Sequence, residues 1–373
     1  MDDSRTGITR LHVIHENFLN CVINIYGPTN SGKTAITRDI MFNLKDKIPM
    51  GFVFNPTNPV QKAYDYYFPD LAIITITEVT KLETKISAIY KRQEMVTEMY
   101  RCANNVNILH KIYLRLRTPA SDSILIKLEV AEQRYSKALV NLKRAADQEA
   151  RSGQQTRPKT AFYQKEKDRI EDMLLRARIM FYKSIIRPKR DDLLKHASHT
   201  LADEEKYAIN YLDINPNVLL IFDDVVDELK PIQKTLIQTI VHKCRHVYMT
   251  IIFLMQDDAM MIRDIRKQPR YSIFMKATAA RTYAQRKENN MDKNDVKKID
   301  EICDKVWRPT TPHRKLVYCN QAAENQFRYI DFTYHTEKFQ FGSPAFRDFC
   351  DKAKSNGTHI DKTNPFFNVF KVQ

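Results

Sequence analysis

Apolar, often β-branched residues recur along the chain in short runs set between longer helical or turn-rich spacers: Cys21 to Tyr26, Phe52 to Phe54, Ile73 to Ile76, Val218 to Phe222, Val247 to Leu254 and Tyr271 to Met275. That alternation predicts an α/β fold with a mainly parallel sheet and crossover helices. From Ala35 to Leu44 the apolar positions Ile36, Ile40 and Leu44 share one helical face, so a helix follows the first run. Near the C-terminus, Lys315 to Tyr318 and Phe327 to Phe332 are divided by a short polar link, which predicts an antiparallel hairpin closing the sheet at its edge.

Between the third run and the fourth the pattern turns helical for far longer than a crossover requires. Leu128, Ala131, Tyr135, Ala138, Leu142 and Ala145 keep a three-four spacing, as do Tyr163, Ile170, Met173, Ala177 and Met180. The polar breaker from Arg151 to Lys159, with Gly153 and Pro158, separates the two, so a helical hairpin with an exposed tip is expected. The resulting organisation is a core of residues 1–80 and 201–345, a basic helical insertion of 81–200 and a C-terminal tail of 346–373. The tail ends in the aromatic pattern of Phe366, Phe367 and Phe370, expected to dock on the body of the protein in preference to serving as a tail for a partner.

Length and charge narrow the function. A chain of 373 residues can bury a substantial core, and a formal charge of +15 points to a polyanionic partner such as nucleic acid. Residues 111–200 hold 21 Lys+Arg against 11 Asp+Glu, so two thirds of the surplus lies in the insertion. A solvated helical face and a phosphate-binding face explain that surplus equally well. The six cysteines show no zinc or disulfide spacing, and His242 with His246 lacks an acidic ligand motif, so a surface pair is preferred to a metal site. No apolar stretch approaches the roughly 20 residues of a membrane span, and no signal core opens the chain. A soluble protein of a reducing intracellular compartment, without membrane contact, is expected.

The first apolar run feeds GPTNSGKT, a complete phosphate loop of Gly27, Pro28, Thr29, Asn30, Ser31, Gly32, Lys33 and Thr34. Gly27 and Gly32 let consecutive N–H groups face phosphate, Lys33 reaches the β- and γ-phosphates and Thr34 ligates Mg²⁺. These residues predict an ATP site. Val218 to Phe222 ends in Asp223 and Asp224: the first is suited to hold Mg²⁺, the second to orient or deprotonate attacking water. A plain helix-capping role for Asp224 is the competing reading. The run ending at Met255 delivers Gln256 at the ligand-binding end of an open α/β sheet, where it can sense the γ-phosphate or merely form a turn. An oligomeric motor needs an arginine for its neighbour's γ-phosphate, and Arg263 and Arg266 are the candidates, although each could also be a surface charge or a DNA contact.

Taken in order, IYGPTNSGKT, the strand ending in Asn55, Pro56 and Thr57, LLIFDD, FLMQDD and the helix start at Met261, Ile262 and Arg263 resemble the viral genome-packaging ATPases of the FtsK/HerA superfamily, and within it the poxvirus-type packaging ATPase. The resemblance covers roughly residues 20–80 and 215–335. It implies a RecA-like P-loop NTPase core that assembles as a homo-oligomeric ring and drives double-stranded DNA into a capsid, docked on a capsid or portal-vertex protein. Lys33, Thr34, Asp223, Asp224 and Gln256 match its motif positions. A viral motor implies the host nucleus or a cytoplasmic virus factory, or association with virions. The long basic hairpin departs from the compact family pattern. Two other functions fit the residues: a helicase, and a nucleic-acid-binding virion or regulatory protein that holds ATP as a structural ligand.

Overall fold

The computed structural model describes residues 8–151, 157–196, 198–289, 291–307, 313–320, 322 and 326–356. They form two units, one made of the described residues up to Thr97 together with those from Asn215 onward, the other Glu98–Ile214. The first is built on nine strands: β1 (Thr9–Arg10), β2 (Val22–Tyr26), β3 (Met50–Phe54), β4 (Ile73–Ile74), β5 (Val218–Asp223), β6 (Met249–Met255), β7 (Tyr271–Phe274), β8 (Arg314–Cys319) and β9 (Phe327–Asp331). Their order across the sheet is β1-β9-β8-β7-β2-β6-β5-β3-β4. The strands from β7 to β4 are mutually parallel. The α/β reading therefore holds. Every residue of β2, β3, β5, β6 and β7 is buried, as expected of parallel strands covered on both faces.

β8 pairs antiparallel with β7 and β9 with β8, as the hairpin pattern predicts. It does not end the sheet, because Thr9 and Arg10 pair parallel with Arg328 and Tyr329 of β9. Two residues are too short a run to carry a periodic signal.

The core unit reaches beyond the sequence-drawn boundaries at two places. The helix Val79–Ala103 sends Leu82, Ile86, Ile89 and Tyr90 into the core of the sheet unit, and the helix Pro344–Asn356 sends in Phe346 and Cys350. The Phe346 ring meets Phe52 of β3 edge-on at 5.9 Å. The residues of the expected aromatic docking, 366–370, lie outside the described residues.

The second unit has its own core, centred on Leu109, Ile112, Tyr113, Tyr182, Ile186 and Ile209. Its two long helices are Pro119–Arg151 and Arg157–Ile186; the tip at 152–156 lies outside the described residues. The face each helix buries differs from the predicted stripe. Leu125 is buried and Leu128, Tyr135 and Leu139 half-buried, whereas Ala131 and Ala138 are exposed. On the partner helix Ile170 and Leu174 turn inward, while Met173, Ala177 and Met180 are exposed. Apolar residues stand on more than one stripe of these helices, so periodicity alone could not choose. Among the described residues no helix is long and apolar enough to cross a membrane.

Gly51 in the middle of β3 shows how tightly the sheet is covered: a Cβ there would stand 2.7 Å from Phe68 Cε1 and 2.9 Å from Phe341 Cε1. Gly51→Ala is expected to cost about 1–3 kcal/mol by forcing those rings apart. Thermal unfolding checks this, and Phe341→Leu in the same chain should recover part of the loss.

Candidate functional site

Parallel strands that each end within a residue of their neighbour bring their following residues to one edge. Tyr26 lies beside Met255 and Phe274, Asp223 beside Leu254, and Phe54 beside Phe222. Gly27, Gln256, Asp224 and Asn55, each one residue past its strand, therefore leave the sheet side by side. Since β6 lies between β2 and β5, Gln256 emerges between the phosphate loop and the acidic pair.

The loop has the backbone its sequence demands. Asn30 and Gly32 adopt left-handed φ of 60° and 93°. Gly32 is the N-cap of the helix Lys33–Leu44, whose first bonds run from the N–H groups of Ala35 and Ile36 to its carbonyl. Gly27 must lack a side chain, because a Cβ would stand 2.6 Å from Ser31 Oγ and 2.7 Å from Met275 Cβ. Pro28, Thr29 and Asn30 are exposed, while Ser31, Gly32 and Thr34 are half-buried.

Lys33 folds back into the loop and donates to the carbonyls of Gly27 at 2.7 Å and Pro28 at 3.1 Å. Burial pulls its ammonium below the ordinary value, while Asp224 and Asp223 act in the opposite direction. The loop thus holds a partly desolvated cation against its own carbonyls. Ser31 Oγ is buried without a hydrogen-bond partner among the described residues. A glycine cradle with an orphaned hydroxyl and a lysine held only by carbonyls fits a phosphate chain.

Asp223 is buried at the end of β5, and two residues that sequence reasoning gave no role hold its carboxylate. Tyr64 donates its hydroxyl to Asp223 Oδ2 at 2.8 Å, and Asn55 approaches the same oxygen with Nδ2 at 3.5 Å. Asn55 Oδ1 meanwhile accepts from Thr57 N at 2.8 Å, and Asn58 Oδ1 accepts from Tyr64 N at 3.2 Å, which fixes the segment that carries the tyrosine. Burial pushes the Asp223 carboxyl up to about 6; the Tyr64 hydrogen bond pulls it down, Asp224 pushes it up and Lys33 pulls it down. Asp224 is exposed and stands at φ 52°, a left-handed conformation that Asp tolerates better than most non-glycine residues. Thr34 and Asp223 are the residues able to hold Mg²⁺.

Gln256 is exposed and lines a cavity of about 350 Å³ with Tyr26, Pro28, Asp257, Thr278 and Thr282. The two arginines separate. Arg263 is exposed, whereas Arg266 is buried and gives Nη1 to Asp258 Oδ2 at 3.0 Å. Asp258 also accepts from Arg286 and, at 2.7 Å, from Asn289. A guanidinium committed to this buried cluster is not offered outward, so Arg266 does not fit the role of an arginine reaching another molecule, whereas Arg263 is exposed.

No protein-family model matches the chain. It is 27% identical over 380 residues to "Uncharacterized protein B354L" of African swine fever virus isolate Tick/Malawi/Lil 20-1/1983, covering 98% of this chain and 97% of that protein. The isolate Pig/Kenya/KEN-50/1950 gives the same figures. Among solved structures, EssC (ATPases 2 and 3) from Geobacillus thermodenitrificans is 11% identical with a TM-score of 0.37, over 92% of this chain and 45% of that one. The cytoplasmic domain of the type VII secretion ATPase EccC from Thermomonospora curvata is 13% identical with a TM-score of 0.34, over 84% of this chain and 25% of that one. The chain thus spans less than half of either structure, and likeness at this distance transfers no activity.

The Asp223 carboxyl gives a signed prediction. Mg²⁺ needs the carboxylate, so Mg²⁺-dependent nucleotide binding should strengthen as pH rises through about 6. Tyr64→Phe removes a donor to the charged form and should move that midpoint to higher pH, which titration calorimetry across pH would read. A carboxyl raised on folding favours the fold fully below its unfolded value and loses that contribution as pH rises through the folded one. Asp223→Asn should therefore stabilise the nucleotide-free protein at pH 8, by up to about 3 kcal/mol, while losing Mg²⁺-dependent binding.

Proposed function

We propose that this chain is an ATP-driven motor that hydrolyses Mg²⁺-ATP and moves double-stranded DNA, in the packaging of a viral genome. The observation that carries the reading is the common edge on which Lys33, Asp223, Asp224 and Gln256 emerge from β2, β5 and β6. Hydrolysis needs a phosphate cradle, a metal-holding carboxylate and a second acid within reach of attacking water, and the strand order supplies all three together. Its full-length relatives are viral proteins, which supports the viral setting, and the charge of +15 supports a nucleic-acid partner.

Within this reading the loop binds the phosphates, and Lys33 exchanges the carbonyls of Gly27 and Pro28 for phosphate oxygens. Thr34 and Asp223 hold Mg²⁺, which when bound offsets phosphate charge. Asp224 accepts the proton of the attacking water, and Gln256 reads whether the terminal phosphate is present. Arg263, exposed on the helix after Gln256, is offered to the adjoining subunit of a ring. Docking on a capsid or portal-vertex protein belongs to the same proposal.

Steady-state ATP hydrolysis with and without long double-stranded DNA tests the motor. DNA should stimulate turnover, and Lys33→Ala should lower it by about a hundredfold or more. Asp224→Asn should keep ATP bound while slowing hydrolysis by about 10²–10⁴-fold. Tight ATP binding with no turnover, alone or on DNA, would replace the motor with a protein that holds ATP structurally.

A further inference from the structure

The helix Pro119–Arg151 sorts its charges around its circumference. At about 100° per residue, Lys127, Arg134, Lys137 and Arg144 fall within a sector of about 100°. All four are exposed, and the sector lies opposite the inward positions Leu128, Tyr135 and Leu139. No Asp or Glu between Ser121 and Arg144 falls inside it. Glu132 is turned toward the companion helix, where it pairs with Arg178.

The companion helix provides the contrast. There Lys167, Arg169 and Arg176 are each neutralised by an acid one turn away, at Glu171, Glu166 and Asp172. Lys127, Arg134, Lys137 and Arg144 make no ion pair among the described residues. A helix that needed its cations only for solubility would gain from the same i,i+4 pairing. Four unpaired like charges on one side repel one another, and an external polyanion relieves that repulsion.

We infer that this outward face binds the phosphate backbone of double-stranded DNA. Lys127 and Arg144 are separated by about 26 Å of helix axis, roughly the rise of eight base pairs along one strand. Ile126, Val130 and Asn141 stand among the cations, without an aromatic side chain of the kind that anchors protein interfaces. The array suits contact with a repeating phosphate backbone irrespective of base sequence. Only the choice of DNA as the polyanion rests on the motor reading.

The test compares the full chain with Lys127, Arg134, Lys137 and Arg144 all changed to Gln, a good helix former. A control variant changes the exposed Lys111, Lys165, Lys189 and Lys195 of the same unit to Gln. Binding to a long labelled duplex is read by fluorescence anisotropy across salt concentrations. The face variant should bind at least about tenfold more weakly at about 0.1 M salt, with the slope of log K against log salt reduced by about three to four. The control should lose less than about one. Equal losses in the two variants, an unchanged face variant, or wild-type preference for poly-glutamate over DNA would each overturn the inference. ATP turnover in the same samples separates it from the motor: DNA-stimulated hydrolysis with DNA binding intact in the face variant removes the face alone. No turnover, with DNA binding lost only in the face variant, removes the motor and upholds the face.

Discussion

A strand buried on both faces can present polar chemistry only where its backbone leaves the sheet, and here the central strands leave it together. Pairing in parallel, with Tyr26 beside Met255 and Asp223 beside Leu254, fixes which residue of each strand is last inside and which is first outside. The cost of error is large. A slip of one residue between β5 and β6 would turn every β5 side chain to the opposite face and send Asp223 into a layer of Ile and Phe. Because β2, β3, β5 and β6 are buried on both faces and mostly apolar, with Asn24 and Thr250 the polar exceptions inside β2 and β6, their termini do much to set register: the glycine loop after β2, the left-handed Asp224 after β5 and the turn from Asn55 after β3.

Within that frame the expensive element is the Asp223 carboxylate. Removing a carboxylate from water is unfavourable by several kcal/mol unless hydrogen bonds and opposite charge answer it. The fold offers a hydroxyl from Tyr64, an amide from Asn55 and the charge of Lys33, and still leaves the carboxyl raised to about 6. An incompletely satisfied acid at the edge of a sheet gains by meeting a divalent cation. On the proposed reading, the same incompleteness that weakens the fold would be relieved by a bound cation. Lys33 is in a corresponding state, partly desolvated against two carbonyls.

The parts of this site that are legible in the sequence are those encoded locally. A phosphate loop is contiguous, and Asp223 and Asp224 directly follow an apolar run, so strand and function are read in one pass. Asn55 carried a findable signal as a polar residue ending a buried strand. Tyr64 carried none: it meets Asp223 across 159 residues of chain, in a segment without period. Arg266 misled for a related reason. Its burial depends on Asp258, eight residues away across a short helix, and a charged residue on a five-residue helix reads as exposed. In the second unit the existence of two helices was plain, but their inward faces were not. Helices with apolar residues on several stripes leave the choice of face to packing that no single sequence window contains.

The cluster around Asp258 anchors the chain just after Gln256, which is itself exposed. Asp257 and Asp258 follow it directly, and they are gripped by Arg286, Arg266 and Asn289. The Arg286 guanidinium holds the Asp257 carboxyl well below the ordinary range. Buried ion pairs of this kind add little net stability, because desolvation consumes most of the attraction, yet breaking one is costly. Their effect is geometric: the chain after β6 cannot swing, so Gln256 meets the edge between the phosphate loop and Asp224 at a fixed height. In the proposed role of phosphate sensor, Gln256 would have to be held by something other than the phosphate, and this network would hold it. In the proposed motor, a movement imposed on Gln256 would pass through Asp257 and Asp258 to the helices Arg263–Lys267 and Ala277–Gln285, the first of which carries the exposed Arg263.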